Sequence, residues 1–438
     1  MIKIINYKNK FKILYKQIKA VTGVYFELKF KAGGYNDPKG KGGTAHFCEH
    51  ALMGFSTKNR TRTDRQKDLY RFVEMNARTS YHYVSFYVRV PNTQIEEAVD
   101  RLTDPFANLL YLDSEFEAEK KIIQDEIVTR VKTNIATLSL EQRRELSKNP
   151  EIVNCELSPA GSKESLAKIT LKDIKNYIDS YFNKDNMTIV VTGNISIKKL
   201  KKLIDKYVEP RIKDHGKIGF SRSDFKGYKD KKYFYLQPVE KDKGLLCLLY
   251  FYGKRDMTKY MDRKYEEIIR ILSVCLNEIL FVFIRTKKEL CYGSSIDVLN
   301  HNIYQATDVY LECQDDKISE VIEAYKEFYQ TLPEDLDKGV FDRQKEKLEN
   351  LANFDLKSTR MQAGILFSQY DDFGNIIDDD VKYTKKLYDS ISYDDVNREY
   401  KKCFSAKPVL FIMSQNEKFK DFDYQGYVKE IYKKGGIK

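Results

Sequence analysis

The 438-residue chain has no tryptophan, only five histidines, and no apolar run long enough to cross a bilayer. Its start, Met1-Ile2-Lys3-Ile4-Ile5-Asn6-Tyr7-Lys8, leads into alternating strand-like sequence. It has neither the unbroken apolar core of a signal peptide nor the Arg/Ser-rich helix of a transit peptide. A cytoplasmic protein with no membrane partner is the expectation. Seven cysteines, at 48, 155, 247, 275, 291, 313 and 403, are scattered and odd in number. Most lie inside apolar segments such as Leu245-Leu246-Cys247-Leu248-Leu249. That usage fits buried thiols in a reducing compartment and not a disulfide framework. A nucleic-acid motif is also lacking. The net charge of +11 comes from 76 Lys and Arg interleaved with 65 acidic residues, which reads as a solvated lysine-rich surface. Nucleic acid is therefore not an expected partner, whereas acidic or extended peptides remain compatible with the excess charge.

What is present describes a globular protein with more than one core. Hydrophobic residues make up 42%, Tyr and Phe are abundant, and 438 residues exceed what one core usually organises. Ile169-Thr170-Leu171-Lys172-Asp173-Ile174 is echoed 222 residues later by Ile391-Ser392-Tyr393-Asp394-Asp395-Val396. Each carries Thr or Ser three residues before Asp, a helix-capping pattern. Each leads through a helix to an apolar strand, Thr188–Val191 and Val409–Ile412. The half-length echo predicts an α+β fold of two duplicated domains, 1–208 and 233–438, each a mainly antiparallel sheet packed with helices. The polar, Lys/Gly/Asp-rich segment 209–232 is expected as the linker. Val24, Phe26, Leu28 and Phe30 alternate toward one strand face, as do Val84, Phe86, Val88 and Val90. Ile95 to Leu109 takes helical spacing that Pro105 should kink or interrupt.

Two of the few histidines lie four residues apart in His46-Phe47-Cys48-Glu49-His50. A four-residue helical step returns to within about 40° of the same face, so both imidazoles can reach one metal ion with Glu49 beside them. Such a carboxylate can take a proton from metal-bound water, which makes the order HxxEH a zinc-hydrolase arrangement; a solvated helix face is the alternative. Cys48 reads as a packing residue on the side away from the metal. A third ligand is sought in Glu115–Val131, a stretch of helix formers without Gly or Pro. There Glu119, Ile122, Ile123 and Glu126 fall within about 100° of a helical wheel. Two carboxylates on an apolar stripe are costly to bury unpaired, so either a cation faces them or the stripe is a partly exposed groove wall.

HxxEH followed by Glu119 and Glu126, the latter 76 residues after His50, resembles the pitrilysin/insulinase family of inverzincin peptidases, which includes the mitochondrial processing peptidases. Gly43-Thr44-Ala45 before the motif, Asn76-Ala77-Arg78-Thr79-Ser80, and Gly161-Ser162-Lys163-Glu164-Ser165-Leu166 are similar to further family segments. Arg285 to Tyr292 is similar to its Arg-x6-Tyr element. The resemblance implies a zinc endopeptidase binding one zinc ion per chain through His46, His50 and Glu126. Glu49 would be the general base and Glu119 a carboxylate beside the ligands. Asn76 and Ala77 would sit on an edge strand that pairs with the substrate backbone. It also gives Arg285 a substrate carbonyl and Tyr292 the developing oxyanion; read alone, that pair is a surface cation and a half-buried aromatic that share a helix face or flank a bend. Family members enclose short or unfolded peptides in a clam-like chamber of about four such domains. Two domains here therefore imply a homodimer, each site taking Arg285 and Tyr292 from the opposite subunit, or a heterodimer with a related chain. A non-catalytic subunit of the same fold is the alternative function.

Overall fold

The computed structural model describes residues 2–133, 159–219, 232–237, 242–254, 262–300, 304–355, 358–374, 376 and 381–432. Cys155 and residues 220–231 of the expected linker lie outside them. The fold is α+β, and the chain divides into two compact units. Met1–Gly227 and Asp355–Asp378 form the first, Tyr228–Phe354 and Asp379–Lys438 the second.

The first unit is built on strands β1 (Ile2–Tyr7), β2 (Phe11–Gln17), β3 (Gly23–Phe30), β4 (Glu74–Thr79), β5 (Val84–Pro91) and β6 (Met187–Gly193), in the order β1-β2-β6-β3-β5-β4. All pairings are antiparallel except β2 with β6. The second unit has β7 (Tyr233–Leu236), β8 (Lys243–Lys254), β9 (Gly293–Asn300), β10 (Tyr304–Gln314) and β11 (Val409–Met413), in the order β7-β11-β8-β10-β9. Here the parallel pair is β7 with β11. Strand for strand the second sheet repeats the first without β1, which is the duplication the half-length echo predicted. The echoed capping pattern has the same origin in both units. Thr170 with Asp173 forms a capping box at the start of one helix, and Ser392 with Asp395 does so at another.

Five helices of the first unit place the candidate site: α1 (Thr44–Gly54), α2 (Arg62–Arg71), α3 (Ile95–Asn108), α4 (Asp113–Thr133) and α5 (Lys163–Lys168). With tryptophan absent, phenylalanine fills the core between sheet and helices. Phe30 lies 5.4 Å from Phe106 and 5.1 Å from Phe182 between ring centroids. Helix α3 runs through Pro105 to Asn108, so the proline does not interrupt it.

The opposite sheet face departs from simple alternation. Val24, Phe26, Leu28 and Phe30 do face the main core, but Tyr25 and Glu27 are buried as well. Their cover is helix α6 (Thr359–Phe373), drawn from the second half of the sequence. Its Ala363, Leu366 and Phe367 pack on Leu14, Tyr25, Tyr87 and Val190. The Lys29 ammonium sits 3.7 Å from the centre of the Phe367 ring, a cation–π contact that helps accommodate a largely buried lysine. Strand periodicity reports which residues share a face, but it cannot report a helix that arrives from 330 residues away. Residues 209–219 of the expected linker also pack on this unit: Ile212 joins its core, and the Gly219 amide donates to Asn186.

Candidate metal centre

Helix α1 is held at both ends by residues outside it. Its first residue follows Gly43, whose φ of +94° no side-chain cap accompanies. The Asp37 carboxylate instead accepts the amides of Gly43 at 2.7 Å and Ala45 at 2.8 Å. At the other end the buried Arg65 guanidinium donates to the carbonyls of Leu52 and Phe55, which the helix leaves without intrahelical partners. Burial pushes the Asp37 carboxyl up to about 8 despite the Gly43 and Ala45 amides, so the charge that complements the helix dipole is the Arg65 cation at the C-terminus. The Gly43 turn is packed as tightly as its sequence suggests. A Cβ on Gly43 would meet the Ala160 carbonyl oxygen at 2.4 Å, and one on Gly161 would meet that of Gly42 at 2.1 Å. Ser165 closes the contact by donating to the Gly42 carbonyl at 2.7 Å. The Gly43 and Gly161 segments, 118 residues apart in sequence, are thus two sides of one close backbone approach.

Phe47 and Phe116 stack in parallel at 4.8 Å and lay α4 against α1. Beside this stack, and ten residues past Phe116 on α4, the polar groups meet. Glu126 Oε2 stands 3.5 Å from His50 Nε2 and 3.8 Å from His46 Nε2. One donor atom from each of His46, His50 and Glu126 lies within 4.8 Å of the others. Ligands about 2.1 Å from a tetrahedral zinc ion stand about 3.4 Å apart, so the 3.5 and 3.8 Å separations from Glu126 suit such an ion. Two imidazoles and a carboxylate are a donor set zinc accepts, with a fourth position left open. Among the described residues no other group of His, Cys, Asp or Glu is so disposed.

Glu119 is placed behind this set. Its Oε1 lies 2.8 Å from His50 Nδ1, and since a carboxylate only accepts, Nδ1 keeps a proton while Nε2 is the nitrogen turned toward Glu126. The other Glu119 oxygen accepts from Arg62, which enters from the start of α2. Burial alone would raise the Glu119 carboxyl, but the bond to His50 and the charges of His50 and Arg62 hold it below the usual range. That network explains how an acid only 6% exposed stays ionised. Ile122 does not belong to the buried stripe: it is 47% exposed, while Phe116, Ile123 and Ile127 are buried. The wheel places it at the stripe's margin, on the far side from Phe116.

Glu49, also on α1, accepts a hydrogen bond from the Thr79 hydroxyl. Thr79 is the last residue of β4, the outermost strand of the first sheet, and Asn76 and Ala77 lie on the same strand. Residues Met75, Ala77 and Thr79 face the core and α1, whereas Glu74 on the other face is bonded by Arg360 of α6 at 2.8 Å. Cys48 is fully buried, its thiol 3.6 Å from the Ile174 carbonyl. Arg285 and Tyr292 belong to the second unit and flank a bend. Arg285 lies in the last turn of a helical segment over Phe281–Lys287, Glu289 takes a left-handed φ of 56°, and Tyr292 directly precedes β9. Arg285 donates to the Tyr292 carbonyl at 3.2 Å, and the Tyr292 hydroxyl donates to Glu312 at 2.9 Å.

Sequence reading passed over Asp37, Arg62, Arg65 and Glu115. Ser56, in the turn after α1, donates both its amide and its hydroxyl to Glu115, so this turn too is anchored on α4. None of the four lies in a spacing pattern. The signal available was Asp37 shortly before Gly43, and two arginines in the first turn of α2.

Two consequences can be measured on zinc binding. Arg62→Ala leaves Glu119 without its cation and is expected to weaken zinc binding about 10- to 100-fold, read by competition with a chelator. Unchanged affinity would detach Arg62 from the site. The second concerns pH. Burial disfavours charge on His50, but its hydrogen bonds to Glu119 and Glu126 outweigh this and push the imidazole up to about 9 in the metal-free protein. A proton therefore competes with the metal below that pH. Apparent zinc affinity should rise about tenfold per pH unit between pH 7 and 9 and then level off. The metal-free fold responds with the opposite sign. Its stabilisation by protonated His50 is complete below about pH 6.5 and is lost as pH rises through about 9.

Comparison with known proteins agrees with this geometry. Residues 12–147 match the insulinase family, peptidase family M16, and residues 168–348 match the peptidase M16 inactive domain. A zinc protease of Helicobacter pylori, PqqE, is 25% identical over 204 residues, covering 46% of this chain and 45% of its own length. An uncharacterised zinc protease of Bacillus subtilis, YmxG, is 25% identical over 312 residues, 67% of this chain and 69% of that one. The crystal structure of the first half of the periplasmic protease PqqL from Escherichia coli superposes with a TM-score of 0.75 at 16% identity. That alignment covers 99% of this chain and 96% of the other, which establishes the shared fold. The chain spans about half the length of the Helicobacter relative. Both matched regions, the zinc-protease relatives and the repeated α+β fold lead to one conclusion: this chain belongs to the insulinase (M16) family of peptidases.

Proposed function

We propose that the chain is a zinc-dependent endopeptidase acting on short or unfolded peptides. The observation that carries the reading is the convergence of His46, His50 and Glu126 beside Glu49, with Glu119 fixing the His50 tautomer. The three ligands would hold one zinc ion, which when bound lowers the pKa of water toward about 7 and polarises the scissile carbonyl. Glu49 accepts the proton from the attacking water and returns it to the departing amine. A peptide added along β4 would be held by main-chain bonds near Asn76 and Ala77, close to Glu49 and with little demand on sequence. Arg285 and Tyr292 of the opposite subunit would supply donors to the substrate carbonyl and the developing oxyanion.

Partnership is part of the proposal. The aligned Escherichia coli chain is the first half of a protease whose whole chain this one covers to 50%, which supports a site completed by a second such half. A homodimer is favoured because one chain carries both the metal ligands and the Arg285/Tyr292 pair. Light scattering that found only monomer would count against it. The reading as a whole is tested by incubating the zinc-loaded protein with a mixed peptide library and sequencing the products. No cleavage with zinc bound would reject it. The second reading, a non-catalytic subunit, draws on the match to the inactive domain. That match covers residues 168–348, however, and His46, Glu49, His50 and Glu126 all lie outside it.

A further inference from the structure

The geometry points to Thr79 as a positioning residue for the general base, an inference that rests on the peptidase reading above. A carboxylate that must take a proton from one side and deliver it to another needs a fixed orientation. Glu49 sits on the metal face of α1, half-buried, with three rotatable side-chain bonds. The Thr79 hydroxyl donates to Glu49 Oε2 and so limits the rotation of the carboxylate. Thr79 is suited to this because a β-branched side chain on a strand has few χ1 choices. Its backbone is fixed by pairing with Val84, and its neighbours Met75 and Ala77 on the same strand face are packed on the core. The donor is therefore built into the strand proposed to hold the peptide, so a substrate paired along β4 and the base that serves it are referenced to one rigid element. Thr79 touches neither the reacting atoms nor the three metal ligands in this arrangement, and its role is exerted through Glu49.

The test compares Thr79→Val, which keeps the branched shape but removes the donor, with Thr79→Ser, which keeps the donor. Each zinc-loaded full-length protein is assayed on a peptide that the wild type cleaves, with zinc content measured alongside. Thr79→Val should bind zinc normally and lose about tenfold in kcat with KM unchanged, and Thr79→Ser should recover most of the rate. Thr79→Ala serves the same comparison if the valine variant does not fold. Wild-type kcat in the donor-less variants would overturn the inference, and so would a change confined to KM, which would assign Thr79 to peptide binding. A wild type that binds zinc yet cleaves nothing would instead reject the peptidase reading, so the two failures are distinguishable.

Discussion

Glu49→Gln is expected to bind zinc as the wild type does and to cleave peptides about 1,000-fold more slowly. The glutamine amide preserves the side-chain shape and can still take the Thr79 hydrogen bond through its carbonyl oxygen. It cannot accept a proton from water, and a positioned general base contributes roughly 10²- to 10⁴-fold. Since Glu49 is not among the three converging donors, metal content should be unchanged. Rate loss without metal loss is the signature to look for, with zinc measured by atomic absorption on the same samples assayed for turnover. If the variant retains most of the wild-type rate, Glu49 is not the base, and another group must be sought on the metal side of α1.

Glu126→Ala should have the second large effect, this time on the metal itself. Structural zinc sites with four protein ligands bind with roughly 10–16 kcal/mol, so losing one donor of a smaller set should weaken binding about 100- to 1,000-fold. The change has a second readout in stability. A metal present at about 1,000 times its dissociation constant raises folding stability by about 4 kcal/mol, and most of that increment should disappear in the variant. Thermal melting with and without zinc measures it. The competing assignment is Glu119, the other acid on α4. It faces the wrong nitrogen of His50 for that role, since it bonds Nδ1 while Glu126 approaches Nε2. Undiminished zinc binding by Glu126→Ala would reverse the assignment.

The two carboxylates of α4 illustrate how far spacing reaches. Helical periodicity put Glu119 and Glu126 on one face because a seven-residue step nearly closes two turns. It could not say which of them meets the histidines and which stands behind, because that depends on the offset between α1 and α4, set by the stacking of Phe47 on Phe116. Ile122 falls in the stripe for the same reason, since a wheel has no knowledge of how wide a sector the neighbouring elements cover.

Local signals carried other features well. The capping pairs Thr170 with Asp173 and Ser392 with Asp395 involve side chains three residues apart, and their bonds need no distant partner. The duplication was visible because the same short pattern had to be encoded twice. Asp37 and Arg65, which close the two ends of α1, escaped notice although they lie near it in sequence. A lone Asp in a Gly-rich loop and an Arg in a polar helix read as surface residues until the backbone groups they satisfy are known.

By itself, the amino-acid sequence determined that this is a two-sheet α+β chain with HxxEH on a helix and two acids on another, because those features follow from intervals of two, three, four and seven residues. Tertiary structure alone decided the rest. It set Glu126 beside both imidazoles, turned Glu119 to His50 Nδ1 under the charge of Arg62, brought Thr79 to Glu49, and covered the outer sheet face with Thr359–Phe373. Each of these contacts joins residues at least 30 positions apart, and in the sequence nothing local distinguishes them from polar groups that meet only water.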